Sequence, residues 1–487
     1  MKRTAAILFL CMIIQSCLFS RSDNILKPLE ESTSSKDRFT QAYKLFSQHQ
    51  YNKALPVFHE YLKIHGPDDD NFAWALFFFG ISLKENGFTY AAFDIFSQLI
   101  DQSPNAKIVT HVLGLFESAM LKGQISDNYI RKTAFCSKNF AFIEAPLSDF
   151  IDFQQGMCNW EKGYIEWGNE HFRQIPLESL YYEHYRIEHA RLMVLNNENH
   201  KAIAVLEDIL KSKKVSKSIQ SKVQIILARL YYGQKDYIRA DQLYIKIAKY
   251  HSDQARFLLE RAWTQFHIGH LDIALGLLTA LNAPDFKNQI TPEYFLLKSL
   301  IYKNVCNYQN ALSIVDEFQN QYQDILSSLK ERRPLDDHIP ALQLLSHEKK
   351  ISDLLIILKQ LEYESKMAKS LTNKSLVDDL VSRYQILMNK YIHQIKKNAD
   401  YIYVKLADQL LTYEENMRLM HYEIGLDMYQ RVKQVAKTLN KASAEITADN
   451  PVIYPFINEY WNDELDHLRV SLTDHCQTLE EWDIFFK

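Results

Sequence analysis

The sequence predicts an all-α protein: a right-handed helical solenoid of repeated helix pairs, followed by a long antiparallel helical hairpin and a C-terminal cap. Three observations carry this expectation. Gly and Pro number only 12 each among 487 residues, where average usage would make them roughly 12% of a chain; sheets and nucleotide-binding loops need more turn residues than that. Hydrophobic residues make up 47% and aromatic residues 13%, enough for a large folded core and too many for a disordered chain. A pattern of small and bulky residues at helical spacing recurs through the first two thirds. The formal net charge of −4 offers no general attraction to nucleic acid or anionic lipid, so no polynucleotide partner is expected.

At the N-terminus, Lys2 and Arg3 precede an apolar run from Ala5 to Ile14. It is too short to span a bilayer and has the form of a secretory signal peptide. The run closes with Ile14-Gln15-Ser16-Cys17, which resembles the bacterial lipobox, although Gln15 stands where a small or apolar residue is commoner. The resemblance implies removal of residues 1–16 and lipidation of Cys17; cleavage without lipid is the alternative. Ser20 to Lys36 is polar and Ser-rich, so residues 17–36 read as the lipidated Cys and a flexible tether. Leu18, not Asp, follows the Cys. The expected location is therefore the outer membrane, facing the periplasm, with a soluble periplasmic protein as alternative.

Residues 37–323 carry the repeats. In the clearest copy, Gly80 lets two helices approach, Gly87 sits at the turn, Ala92 is the small residue of the second helix, and Phe96 fills the space between them; Pro104 closes the unit. The pattern recurs at Ala42 and Ala54, Gly156 and Gly168, Ala190 and Ala202, Ala228 and Ala240, Ala262 and Ala274, and Ser299 and Ala311. One degenerate unit fits around Val112 to Leu121, giving seven or eight copies. This spacing resembles the tetratricopeptide repeat (TPR), a helix-turn-helix unit of about 34 residues. The resemblance implies a superhelix whose concave groove is lined by the first helices.

Beyond Gln323 the small-residue pattern is lost. Residues 324–448 contain two apolar stripes, Val377, Leu380, Tyr384, Leu387 and Tyr391, then Leu406, Leu410, Tyr413, Met417, Met420 and Ile424. Alternating steps of three and four make a coiled-coil seam, and the two stripes predict an antiparallel hairpin. A Pro-containing break then leads into an aromatic-rich segment, 449–487, expected to pack back as a cap. Two features narrow the resemblance: the run Leu259-Glu260-Arg261-Ala262-Trp263 with Thr291-Pro292-Glu293-Tyr294, and Pro455-Phe456 with Glu459-Tyr460-Trp461 and Asp463-Glu464-Leu465. They resemble a poorly characterised class of deltaproteobacterial envelope TPR lipoproteins, some associated with gliding motility. No catalytic role comes with that resemblance.

Motifs for chemistry are missing from the sequence. There is no HExxH run, phosphate-cradling loop, nucleophile elbow or dinucleotide fingerprint, so no enzyme activity and no cofactor are expected. His184 with His189 and His267 with His270 are badly spaced for a metal, and Asp68-Asp69-Asp70 lacks the alternation of a calcium loop, so no metal is expected either. Cys136, Cys158, Cys306 and Cys476 follow the signal and lipobox cysteines. Four cysteines allow three pairings that sequence cannot choose among. The placement of Cys158 in a repeat helix and Cys306 at a repeat turn favours isolated packing cysteines, with Cys136 and Cys158 the first pair to examine.

The residue after the small position of each first helix is expected to face the groove: Tyr43, Ile81, Arg191, Arg229, Trp263 and Leu300. Arg191 and Arg229, on adjacent repeats, suit a carboxylate or acidic peptide, and Trp263 an apolar anchor, giving a partner-binding groove of Tyr43, Arg191, Arg229 and Trp263. Pairing of both arginines with neighbouring acids, and Trp263 as inter-repeat core, is the plainer reading. The expected function is a non-enzymatic scaffold that binds envelope proteins and is held to the membrane by its N-terminal lipid. Alternatives are a peptidoglycan- or glycan-binding module, with Trp263 stacking on sugars, and an outer-membrane protein assembly lipoprotein.

Overall fold

The structure is a computed structural model describing residues 35–102, 105–131, 136, 138–212, 215–247, 254–286, 289–331, 339–439 and 468–476. Residues 1–16, expected to be a signal peptide, together with Cys17, Pro104 and the Pro455–Leu465 motif, lie outside the described residues, as does most of the 449–487 segment. Among the described residues there are nineteen helices and no strand. The chain divides into two compact units, one formed by residues up to Tyr181 with Leu358–Lys390, the other by Tyr182–Ile357 with the residues from Tyr391 onward.

The first unit holds α1 (Ser35–Ser47) and α2 (Tyr51–Ile64), α3 (Phe72–Glu85) and α4 (Thr89–Gln102), α5 (Ala106–Leu121) and the short α6 (Asp127–Arg131), and α7 (Leu147–Glu161) with α8 (Ile165–Gln174). The small–aromatic pairing foreseen for the clearest repeat occurs twice. A Cβ on Gly80 would come within 2.5 Å of the Phe96 ring, and one on Gly156 within 2.6 Å of the Phe172 ring. No side chain larger than hydrogen fits either crossing, so each pair of helices closes on an aromatic wedge.

A second regularity is conformational. Every repeat turns through one residue with positive φ, seven places beyond the small position: His49, Gly87, Gly123, Gly163, Asn197, Lys235, Gly269 and Cys306. Such a residue satisfies the last carbonyls of the first helix and redirects the chain. Four of the eight are not glycine, although L-residues enter this region at a cost. The same count places Phe116 at the small position of the degenerate unit. Phe116 is fully buried, with its ring 4.8 Å from that of Phe93. The helix that follows, α6, is only 5 residues long.

The second unit continues the TPR-type array with α9 (Leu180–Leu195), α10 (Asn199–Lys211), α11 (Lys217–Gly233), α12 (Tyr237–Lys246), α13 (Gln254–Ile268), α14 (Leu271–Ala280), α15 (Pro292–Asn304) and α16 (Tyr308–Lys330). Ile187, Ala190, Ala202, Leu206, Ala228, Tyr231 and Ala240 share one buried cluster, so the small positions again lie where helices cross. Side-chain caps start several helices: Ser216 accepts from the Ile219 N–H, Asp236 from Arg239 and Asn307 from Asn310.

After α17 (Ile339–His347) and α18 (Lys349–Ala368), a single helix, α19, runs for 66 residues from Lys374 to Leu439. This corrects the expected hairpin. The chain reverses at 369–373, and both apolar stripes lie on one helix. Between Lys374 and Leu439 there is no Pro and only one Gly, Gly425, so nothing interrupts the backbone hydrogen bonds. Leu380, Tyr384, Leu387 and Tyr391 are buried, and the seam resumes at Ala399, Ile402, Leu406, Leu410, Met417, Met420 and Ile424.

The start of α19 and the end of α18 belong to the first unit. There the fully buried Glu364 accepts the Tyr90 N–H at 3.0 Å and the Tyr384 hydroxyl at 2.9 Å. Glu364 thus caps the N-terminus of α4 from another helix, where a carboxylate complements the helix dipole. His59 bonds Asp379 at 2.5 Å, and Arg383 pairs with Asp94. In the second unit the later part of α19 joins the core of α13 to α16.

Both disulfides form: Cys136 with Cys158, and Cys306 with Cys476. The expectation of isolated packing cysteines is thereby corrected. Cys306 occupies a positive-φ turn, half-buried against the core, and the 468–476 segment crosses the last two repeats of the second unit to meet it. The Val470 N–H donates to the Asp272 carbonyl at 3.2 Å, and His475 to that of Val305 at 3.0 Å. Arg431 on α19 donates to the carbonyls of His475 and Cys476. At Gly276 the Leu468 carbonyl oxygen lies 1.8 Å from where a Cβ would stand, so only glycine admits the segment.

Candidate partner-binding face

The first helices of the second unit present the residues singled out by the repeat pattern. Arg191 is half-exposed and bonded to Glu188 of its own helix at 3.0 Å. Arg229 is held across the repeat boundary by Glu260, with both guanidinium contacts at 3.0 Å, and its head lies 5.9 Å from the Phe257 ring centre. Glu260 also accepts from Arg256 at 3.0 Å and from the Tyr244 hydroxyl at 2.9 Å. Each arginine is therefore oriented by its own acid. Of the four expected groove residues, the structure brings Arg229 and Trp263 into one neighbourhood, with Glu260 three residues before Trp263 on α13. Arg191 stands on α9. Tyr43 belongs to the first unit, half-buried, with its ring 5.2 Å from Phe78. Ile81 and Leu300 are half-buried, Leu300 against the core that includes α19.

Trp263 is also half-buried. Its ring packs against Phe266 and His267, with centroids 5.9 Å apart in each case, and His267 stacks in turn on Tyr237 at 4.6 Å. Its indole N–H faces the Glu293 carboxyl without closing a hydrogen bond of ordinary geometry. Burial first, and then the charge of Glu260, push the Glu293 carboxyl above the usual carboxylate range; the Trp263 N–H and Arg256 act the other way. Burial first raises two phenols, each to about 12: Tyr232, with Tyr237, Glu293 and Glu260 adding to it, and Tyr413 of α19, with Glu293 adding to it. Burial lowers His267. Glu260, Glu293 and Tyr413 were not foreseen as site residues. The Glu260 signal was available, since it lies one helical turn before Trp263 on the same face.

The tyrosines are held protonated, and Glu293 is enclosed by an indole and a second acid. Among the described residues no group of three or more His, Cys, Asp or Glu could hold a metal ion. No helix among them is long and apolar enough to cross a membrane. His189 lies on the Tyr185 ring and His270 bonds Gln265, which places one residue of each His pair in packing or capping. Asp69 accepts from the Tyr61 hydroxyl and the Asn71 N–H, roles that close a loop.

No family model matches the chain, and no curated protein matches it. Among solved structures it is similar to a tetratricopeptide repeat protein from Parabacteroides merdae, 11% identical over 59% of this chain and 93% of that one, with a TM-score of 0.26. It is also similar to yeast Tom70, 13% identical over 84% and 92% of the two chains, TM-score 0.26. A Rap protein complexed with Competence and Sporulation Factor is 12% identical over 74% and 99%, TM-score 0.28. Superpositions this loose leave the assignment of the fold to the crossings and turns described above.

Proposed function

We propose that this chain is a non-enzymatic scaffold that binds a partner protein along the first-helix face of its second unit. The observation that carries the reading is the row of guanidinium groups on successive first helices. Arg191, Arg229 and Arg256 remain 52%, 41% and 62% exposed while oriented by Glu188 and Glu260. These half-exposed guanidinium groups suit an acidic segment, and the Trp263–His267–Tyr237 stack near Arg229 suits an aromatic residue carried by it. Replacing Arg191 and Arg229 by Glu should abolish capture of the main partner in a pull-down from cells; undiminished capture would remove the groove assignment.

In this reading the protein is exported and works in the bacterial envelope. Lys2, Arg3 and the Ala5–Ile14 run support export, and two disulfides suit an oxidising compartment. The lipobox-like Ile14–Cys17 supports an anchor on Cys17 in the outer membrane, and the 259–263 and 455–465 runs support kinship with envelope TPR lipoproteins. Incorporation of a palmitate analogue, lost in Cys17→Ser, is the expected result. Equal labelling of the two chains, or none of either, would remove the anchor. Trp263 is too enclosed by Phe266 and His267 to offer an open ring to a sugar, so glycan stacking at that position is not favoured.

A further inference from the structure

The first unit carries an open cavity of about 850 Å3 between α7, α8 and the loop around residues 138–143, within the size range of small-ligand sites. Its rim bears Trp167, 66% exposed, with the Tyr164 ring 5.1 Å away as backing. A solvent-facing indole beside a cavity is uncommon, because burial of its large apolar face is ordinarily favourable. Its position is fixed by tight packing. A Cβ on the adjoining Gly168 would fall 2.3 Å from the Trp160 ring and 2.8 Å from the Gly156 carbonyl oxygen, so α8 lies hard against α7. The Trp160 indole N–H donates to the Ile165 carbonyl, and Cys136 on the cavity wall is bonded to Cys158 of α7.

Four amides contribute to the polar lining: Gln155 donates to the Lys138 carbonyl, whereas Asn139, Asn159 and Gln174 keep hydrogen-bonding capacity in reserve. Among the described residues, the Asn159 and Gln174 amides have no side-chain hydrogen bond, and Asn139 uses only its carbonyl oxygen, towards the Ala141 N–H. Asp152 accepts from His171 Nδ1 through Oδ1 at 2.9 Å, which leaves its Oδ2 and His171 Nε2 for a ligand. The charges are balanced within the protein. Lys138 pairs with Asp101 and donates to two backbone carbonyls, Glu170 pairs with Arg173, and Asp152 with His171. Among the described lining residues each charged side chain has an opposite charge beside it.

We propose that this cavity binds an uncharged saccharide of about two rings. A pyranose has an apolar C–H face that stacks on an indole and an edge of hydroxyls that both donate and accept. Amides and a carboxylate beside one aromatic plate complement both surfaces. This site is separate from the partner-binding reading and does not depend on it.

Titration of the full chain with chitobiose, cellobiose and maltose, followed by calorimetry and tryptophan fluorescence, tests the proposal and distinguishes N-acetylated from plain glucan sources. Saturable binding of at least one disaccharide is expected, weakened at least tenfold by Trp167→Ala and by Asn159→Ala, and retained within a few-fold in Trp167→Phe. Trp167 is exposed, so its replacement should leave the helical circular dichroism unchanged; should it not, Asn159→Ala decides the matter. Absence of saturable binding to all three at millimolar concentration, or equal affinity in wild type and Asn159→Ala, would overturn the proposal.

Discussion

Replacing Gly276 by Ala isolates what holds the 468–476 segment in place. The new Cβ would stand 1.8 Å from the Leu468 carbonyl oxygen, 2.4 Å from its carbon and 2.9 Å from the Arg469 Cα. All three are backbone atoms, so no side-chain rotation relieves the clash and the segment must lift. Lifting breaks the Val470–Asp272 hydrogen bond, a loss of about 0.5–1.5 kcal/mol. It also uncovers the half-buried Leu468 and Val470, which pack on the α13–α16 core, at about 1 kcal/mol each for partial burial. Against this, Ala stabilises the interior of α14 by about 0.5–1 kcal/mol. The net global change is therefore modest, about 1.5–3 kcal/mol, whereas the local change is large. Hydrogen exchange read by mass spectrometry should show faster exchange in the peptide covering 468–476, with α14 unaltered or slower. The Cys306–Cys476 bond keeps the segment tethered in both proteins. Unchanged exchange there would refute the close approach on which the reasoning rests.

Three further outcomes follow from the same geometry. Gly80→Ala should destabilise by about 1–3 kcal/mol through overpacking against Phe96, and Phe96→Leu in the same chain should return part of the loss in a double-mutant cycle by urea unfolding. Burial, working against hydrogen bonds from Tyr384 and the Tyr90 N–H, holds the Glu364 carboxyl above the usual range. Because its folded value is raised, its contribution is greatest at low pH and falls as pH rises through that value. The melting temperature of Glu364→Gln relative to wild type should accordingly climb from pH 4.5 to pH 8, and a flat difference would contradict the burial. Arg229→Met keeps the stem over Phe257 and removes the half-exposed ion pair with Glu260, so stability should change by less than about 1 kcal/mol, while partner capture falls.

The repeats were legible because their signal is steric: a small residue such as Gly80 or Ala228 faces a bulky one such as Phe96 or Tyr244, and only the unit with Phe116 at the small position breaks the pattern. The turns were only half legible. Gly87 and Gly269 announce a positive φ, but His49, Lys235 and Cys306 adopt it without any compositional sign, since the flanking helices impose the conformation. The hairpin was misread because a continuous seam and a pair of facing stripes have the same periodicity; only the reversal at 369–373, next to Asn373 capping Leu376, separates them. The disulfides depend on tertiary proximity between residues 170 apart in one case, which spacing does not encode. At the candidate face, Arg229 and Trp263 were reached from the repeat pattern, but Glu293 gains its character from burial beside Glu260 and Trp263, a property of packing. The cavity beside Trp167 was invisible for a related reason. Its wall combines α7, α8 and a loop with no motif of its own.

The most direct test of the scaffold reading is site-specific photocrosslinking in intact cells. A photoreactive residue at position 191, on a first helix, should give one discrete adduct with an acidic partner, and one at position 238 should give none. Ile238 on α12 is 63% exposed and apolar, so hydrophobic stickiness alone would favour it. Equal adducts from both positions, or an adduct from position 238 alone, would contradict recognition by the first-helix face.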